Sequence, residues 1–298
     1  MEFNNLKAAM LVVIAMTMIT TNDAIVKHIT QVFGIGQIMF MRGLLICVIF
    51  AVVLKFKKQP VLDRASVNRW SLVRACLELL ATLTFLTGLS LLPIATASTL
   101  GFASPLFLAI LAAVFLGERV GLLRWLIIVA GFGGVILITN PFSGEMNWAV
   151  IFPITCAVFV ALRDMVIRYV PPGISTHQVA FTNAWVVTLG GGIYSLFQGW
   201  NVAELSWYLW FIALSITMYC GYLFYISGSR LGELSYIGPF KYVSILIAIG
   251  YGYLLWDELP SPTMLIGAAI IIFSGVILIY GEKRKARLAA YPRVSMRH

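Results

Sequence analysis

Ten blocks of almost uninterrupted apolar residues follow one another along the chain, each about the length of a bilayer-crossing helix. They lie near 7–27, 34–55, 72–91, 96–116, 122–139, 148–169, 175–197, 207–228, 234–255 and 262–280. A bilayer core about 30 Å thick needs roughly 20 mostly apolar residues per helical span. Continuous runs select helices, because the strands of a membrane barrel would alternate apolar and polar residues over about ten positions. The chain is 60% hydrophobic and only 11% charged, whereas soluble domains carry roughly 25% charged residues. The expected fold class is therefore an all-α polytopic membrane protein with ten transmembrane helices and no room for a soluble catalytic domain. The first block lacks a charged leader and a small-x-small cleavage site, and reads as a retained helix.

The basic residues are distributed by orientation. Lys55, Lys57, Lys58, Arg64 and Arg69 fill the connection after the second block. Arg119, Arg124, Arg168 and Arg230 mark later even-numbered connections, and Lys283, Arg284, Lys285, Arg287, Arg293 and Arg297 crowd the last segment. The alternate connections at 92–95, 140–147, 198–206 and 256–261 hold no Lys or Arg and carry Glu145, Glu204, Asp257 and Glu258. The positive-inside rule then places both termini in the cytoplasm, with Lys27 and His28 the only discord. The net charge of +9 follows from this orientation, so the lipid bilayer is the expected partner and nucleic acid is not. The four cysteines, Cys47, Cys76, Cys156 and Cys220, all fall inside apolar blocks. With no CxxC or Cys/His spacing they read as small buried residues, and neither metal nor cofactor is expected.

The chain is also written twice. "NDAIVKHI" at 22–29 recurs in kind 141 residues later as "RDMVIRYV" at 163–170, with Asp23 matching Asp164 and Lys27 matching Arg168. At the same offset "QIMF" at 37–40 meets "QVAF" at 178–181, and "GGVILIT" at 133–139 meets "SGVILIY" at 274–280. "GERVG" at 117–121 aligns with "DELPS" at 257–261 with a slip of one residue. The predicted organisation is a first five-helix repeat over 1–140, a second over 148–281, and a basic cytoplasmic tail over 282–298. Five spans is an odd number, so the second repeat must enter the membrane from the opposite side. Such inverted repeats are the construction of secondary transporters, whose substrate site lies near midplane where the halves meet.

The duplication resembles that of the EamA-type drug/metabolite transporter superfamily. So do the stretches "LPIATASTLGFASPLFLAILAAVFLGERVGLLRWLIIVAGFGGVILIT" at 92–139 and "LGELSYIGPFKYVSILIAIGYGYLLWDELPSPTMLIGAAIIIFSGVILIY" at 231–280. The resemblance spans essentially the whole chain. It implies alternating-access transport of a small organic metabolite, with a cavity lined by spans 1, 3, 4, 6, 8 and 9. It leaves substrate and direction open.

Ionisable groups inside spans are site candidates by default, since each costs about 2.5–3.5 kcal/mol at mid-helix even on insertion scales. Asp23 and Lys27 stand i,i+4 and can pair along one helix face; Asp164 and Arg168 repeat the spacing. Each pair either neutralises itself or helps close a gate on its own side. Glu78 lies one turn inside a cytoplasmic helix end, with Arg74 at i−4. It is a candidate for proton or substrate work, with pairing to Arg74 or to another helix as the alternative. Arg74 itself is expected to snorkel to the interface. Lys241 follows "GPF" at 238–240, where Pro239 frees backbone groups, and Arg42 sits mid-way along the second span. Either cation suits a carboxylate or phosphate, Arg bidentately. Arg42 ranks lower, its span being peripheral in the fold that the resemblance implies; its matching position in the second half is Asn183. Tyr219, Tyr222 and Tyr225 recur at i, i+3, i+6, and Tyr236, Phe240 and Tyr242 follow. They read either as packing or as a cavity wall for a flat or apolar group.

An intramembrane protease is disfavoured, because Ser229 has no His in a neighbouring span and His28, His177 and His298 lie at helix ends or in the tail. Ten duplicated spans argue against a retinal-type receptor, and no repeated filter loop marks a channel. The expected function is a secondary active transporter of the bacterial inner membrane, with Glu78 the candidate to carry a coupling proton. Its partner would be a small zwitterionic or anionic metabolite, such as an amino acid or a cofactor-like compound, and a monomer would suffice. An uncoupled facilitator is the alternative, with no enzymatic activity expected.

Overall fold

The computed structural model describes residues 5–58, 60, 67–115, 121–140, 147–166, 169–171, 174, 176–231 and 237–290. Within hydrocarbon a backbone has no water to bond, so each apolar segment satisfies its own N–H and C=O groups by coiling into a helix. The helices are α1 (Asn5–Ile29), α2 (Ile35–Phe56), α3 (Arg69–Leu91), α4 (Ile94–Gly101), α5 (Ser104–Phe115), α6 (Leu122–Thr139), α7 (Ile151–Val166), α8 (Thr176–Gln198), α9 (Leu205–Leu231), α10 (Val243–Trp256) and α11 (Pro262–Ala290). No strand occurs among the described residues. Among the described residues eight helical segments are long and apolar enough to cross a membrane, and two shorter apolar helices, Trp125–Thr139 and Pro262–Leu278, accompany them. The protein is a multi-pass membrane protein.

Local chemistry sets the helix ends. The Asn68 side chain accepts hydrogen bonds from Trp70 N and Ser71 N at 2.9 and 3.1 Å, capping α3. Asn140 closes α6 in the left-handed conformation at φ 42°, a role its short polar side chain tolerates. The break between α4 and α5 at Phe102–Ala103 precedes Pro105. Proline lacks the N–H that would continue the ladder, and its ring crowds the carbonyl four residues back, at Gly101. A 3₁₀ segment, Gly238–Tyr242, carries Pro239 and leads into α10.

Packing pairs follow the duplication. Helix α1 lies along α9 as α7 lies along α3, while α2 packs on its repeat partner α8 and α6 on its partner α11. Gln37 donates from Nε2 to the carbonyl of Asn201 at 2.8 Å, and Gln178 donates from Nε2 to the carbonyl of Pro60 at 3.4 Å. Both residues of the second contact stand 141 positions from those of the first, and the two contacts sit at opposite ends of the bundle. One end, here the acidic end, gathers Gly36, Gln37, Gln198, Asn201, Leu92 and Glu258. The other, the basic end, gathers Lys57 with His177 and Trp70 with Tyr169.

Close helix approach depends on small residues, as expected where lipid leaves packing to van der Waals contact. A Cβ on Gly191 of α8 would stand 2.5 Å from Met39 Cβ of α2, and one on Gly36 would meet the Ser195 backbone at 2.5 Å. The outside is apolar: Leu122, Leu196, Phe197, Leu205 and Leu254 are more than 75% exposed. In water such a surface would be an aggregation patch; against acyl chains it is matched.

Candidate functional site

A cavity opens between α2, α3, α8 and α9. Its walls are Met39, Arg42, Gly43, Ile46 and Phe50 from α2, Glu78 and Thr82 from α3, Ala180, Asn183, Ala184 and Val187 from α8, and Met218, Tyr219 and Tyr222 from α9. The cavity volume is about 160 Å³, below the roughly 300–1,000 Å³ of small-molecule pockets. Met39 and Ala180, Arg42 and Asn183, Gly43 and Ala184, Ile46 and Val187, and Glu78 and Tyr219 are each separated by the repeat offset of 141. Equivalent positions of the two halves therefore face one another across one space. A second lobe shares Ala180, Asn183 and Tyr222, adds Arg74, Tyr225 and Ile226, and reaches Val170, Pro171 and Ile174 at the basic end.

The floor of the cavity is charged. Glu78 accepts a hydrogen bond from Arg163 Nη1 of α7 at 2.6 Å, and Arg163 Nε also donates to Asp164 at 3.0 Å. Glu78 thus takes the interhelical partner and not Arg74, one turn away on its own helix. Arg74 is only partly buried, and its Nε and Nη1 are buried and donate to no partner among the described residues. Arg42 is buried and donates from Nη1 to Asn22 Oδ1 at 3.2 Å, while its charge interacts with Asp23 and Glu78. Asn22 in turn donates to the carbonyl of Leu214 at 2.7 Å, so α1, α2 and α9 meet at this point.

The acidic end is held by a different set. Lys27 does not pair with Asp23. Its Nζ donates to Glu258 Oε1 at 2.5 Å and to the carbonyl of Leu92 at 2.7 Å, and lies 5.1 Å from the Trp256 ring centroid. The other oxygen of Glu258 accepts from Ile94 N at 3.1 Å, the first residue of α4. A carboxylate at a helix start meets unsatisfied N–H groups and the positive end of the helix dipole. One ion pair therefore ties α1, the α3–α4 junction and the turn after α10. Thr21 and Tyr251 add a hydroxyl–hydroxyl bond of 2.8 Å between α1 and α10, and His28 stacks on Trp207 with centroids 5.3 Å apart.

The expected site residues distribute as follows. Arg42, Glu78, Tyr219 and Tyr222 line the cavity together. Both tyrosines pack edge-on to Phe50, with centroids 5.9 and 5.5 Å apart. Lys241 is not among the walls of either lobe; its Nζ lies 4.8 Å from the ring centroid of Tyr225, a wall of the second lobe. Phe240 packs against a cluster built on Ala8, Val12, Ala15 and Met16 of α1. Asp164 is engaged by Arg163. Tyr236 and Arg168 lie outside the described residues. The resemblance implied spans 1, 3, 4, 6, 8 and 9 as walls, whereas this cavity uses spans 2, 3, 7 and 8, which brings Arg42 in from the periphery. Cys76 is exposed on α3, contrary to its expected burial, while Cys156 is buried. The residues missed in the sequence are Phe50, Thr82, Met218 and Glu258; for Asn183, its equivalence to Arg42 was the signal.

The EamA-like transporter family matches the chain twice, over residues 6–140 and 147–281. The chain belongs to this family. Among its relatives, a riboflavin transporter of Rhizobium johnstonii is 26% identical over 74% of this chain and 72% of its own. An S-adenosylmethionine uptake transporter of Rickettsia bellii is 28% identical over 66% and 67% of the two chains, respectively. A pseudopaline exporter of Pseudomonas aeruginosa is 24% identical over 92% and 96%. One crystal structure of a protein superposes with a TM-score of 0.54 at 16% identity, covering 95% of this chain and 96% of the other, a likeness of fold. The family and these relatives are transporters and not enzymes.

Proposed function

We propose that this protein is a secondary carrier that moves a small organic metabolite across the bacterial inner membrane by alternating access. In this reading ten spans form two inverted five-helix repeats, 1–140 and 148–281, and both termini are cytoplasmic. The observation that carries it is the cavity walled by repeat-equivalent positions, reaching the basic end while the Lys27–Glu258 pair ties the acidic end shut. Exchange of the two halves' conformations would move the opening to the other side.

Charge and shape favour an anionic or zwitterionic substrate with a flat part. Arg42 supplies a cation, and Phe50, Tyr219 and Tyr222 supply ring edges and faces. S-adenosylmethionine, for which one relative is named, has a carboxylate and a flat adenine, whereas riboflavin, for which another is named, shares only the flat part. Glu78 is the coupling candidate: its carboxylate faces the cavity, and protonation would release Arg163. Counterflow in proteoliposomes across a panel of amino acids, riboflavin and S-adenosylmethionine tests the carrier. Saturable exchange of at least one compound is expected. Conductance without saturation would overturn it.

A further inference from the structure

The lobe at the basic end holds an unmet hydrogen-bonding demand. Arg74 is the one charged residue among its described walls, and two of its guanidinium nitrogens, Nε and Nη1, are buried without a partner. The carboxylates that its charge feels are Glu78 and Asp164, and both are already held by Arg163 at 2.6 and 3.0 Å. Asn183, on the wall shared by both lobes, has its Oδ1 buried without a donor. Buried polar groups in native proteins are nearly always satisfied, and an exception calls for a missing partner. Here a cationic donor and a neutral acceptor stand unmet in the same space, beside the rings of Tyr222 and Tyr225.

We propose that this lobe binds the oxyanion end of the carried metabolite, a carboxylate or phosphate on Arg74, with an adjacent N–H or O–H of the ligand donating to Asn183. This rests on the carrier reading and adds to it the chemical class of the substrate. A guanidinium is suited to the task because it is permanently charged and presents several donors in a planar fork. Tyr222 then places the flat part of the ligand toward Phe50 and the deeper cavity.

The test uses the full chain in nanodiscs and three probes, indole-3-acetate, phenyl phosphate and the neutral indole-3-acetamide, with binding read from ligand-induced shifts in melting temperature. At least one anion should bind about tenfold more tightly than the amide, the size of one charge-assisted hydrogen bond. Arg74→Gln should erase that preference and Arg74→Lys should restore part of it. The unliganded Arg74→Gln variant should melt no lower than the wild type, since Nε and Nη1 make no hydrogen bond for the substitution to break. Equal binding of acid and amide, a preference that survives in Arg74→Gln, or a large fall in the unliganded melting temperature would each overturn the inference. If an anion exchanges in proteoliposomes at equal rates in wild type and Arg74→Gln, the lobe assignment fails and the carrier stands. If the anion preference is lost as expected but nothing exchanges, the binding site stands and the carrier fails.

Discussion

Arg163 does the most with a single side chain. It bridges α7 to α3 through Glu78 and holds Asp164 with a second nitrogen, so three charges share one compact, partly buried cluster. Removing one partner from such a cluster leaves the others uncompensated, which typically costs about 3 kcal/mol or more when the pair is buried. Arg163→Ala, which strands two carboxylates, should therefore lower the melting temperature clearly. Glu78→Gln keeps an acceptor oxygen for the guanidinium and should cost less; the order of the two melting temperatures checks this. In transport, Glu78→Gln should abolish uphill uptake driven by a pH gradient while leaving exchange measurable, because exchange needs no net proton movement. Uphill uptake that persists in Glu78→Gln would assign coupling elsewhere.

At the scale of elements, the α2–α8 contact sets the cavity. Gly36 lets these helices touch backbone to backbone, and Gly43 and Gly191 let them touch backbone to side chain; the residues between them on the inward faces are the repeat-related pairs. Overfilling such a contact costs roughly 1–3 kcal/mol. Gly191→Val should lower the melting temperature and reduce transport, whereas Gly250→Ala on α10, where an added Cβ meets nothing within 4 Å, should change neither. The element scale also shows what could be read beforehand. Helix positions were legible because hydrocarbon enforces long apolar runs, and the offset of 141 paired Arg42 with Asn183 before either was placed. Phe50, Thr82 and Met218 were not legible, since helices in a membrane bundle are apolar all round and no period separates cavity from lipid. The i,i+4 spacing pointed Lys27 at Asp23. Its flexible stem instead carries the ammonium toward the acidic end, where Glu258 and the open carbonyl of Leu92 offer more partners. Contacts 65 and 231 residues away leave no local mark.

For the molecule as a whole, alternating access requires the cavity to be reachable from one side at a time. The ion pair at the acidic end holds one side, so loosening it should shift the population of conformations and not merely weaken the fold. The direct measurement is side-specific labelling. Asn183→Cys, placed in a background in which Cys47, Cys76, Cys156 and Cys220 are replaced, is exposed to a membrane-impermeant thiol reagent from either face. With Lys27 and Glu258 intact, labelling should come predominantly from the basic end, which the proposed orientation places in the cytoplasm. With Lys27→Gln and Glu258→Gln it should rise severalfold from the opposite side. Equal labelling from both sides with the pair intact, or an unchanged pattern without it, would contradict the alternating-access account.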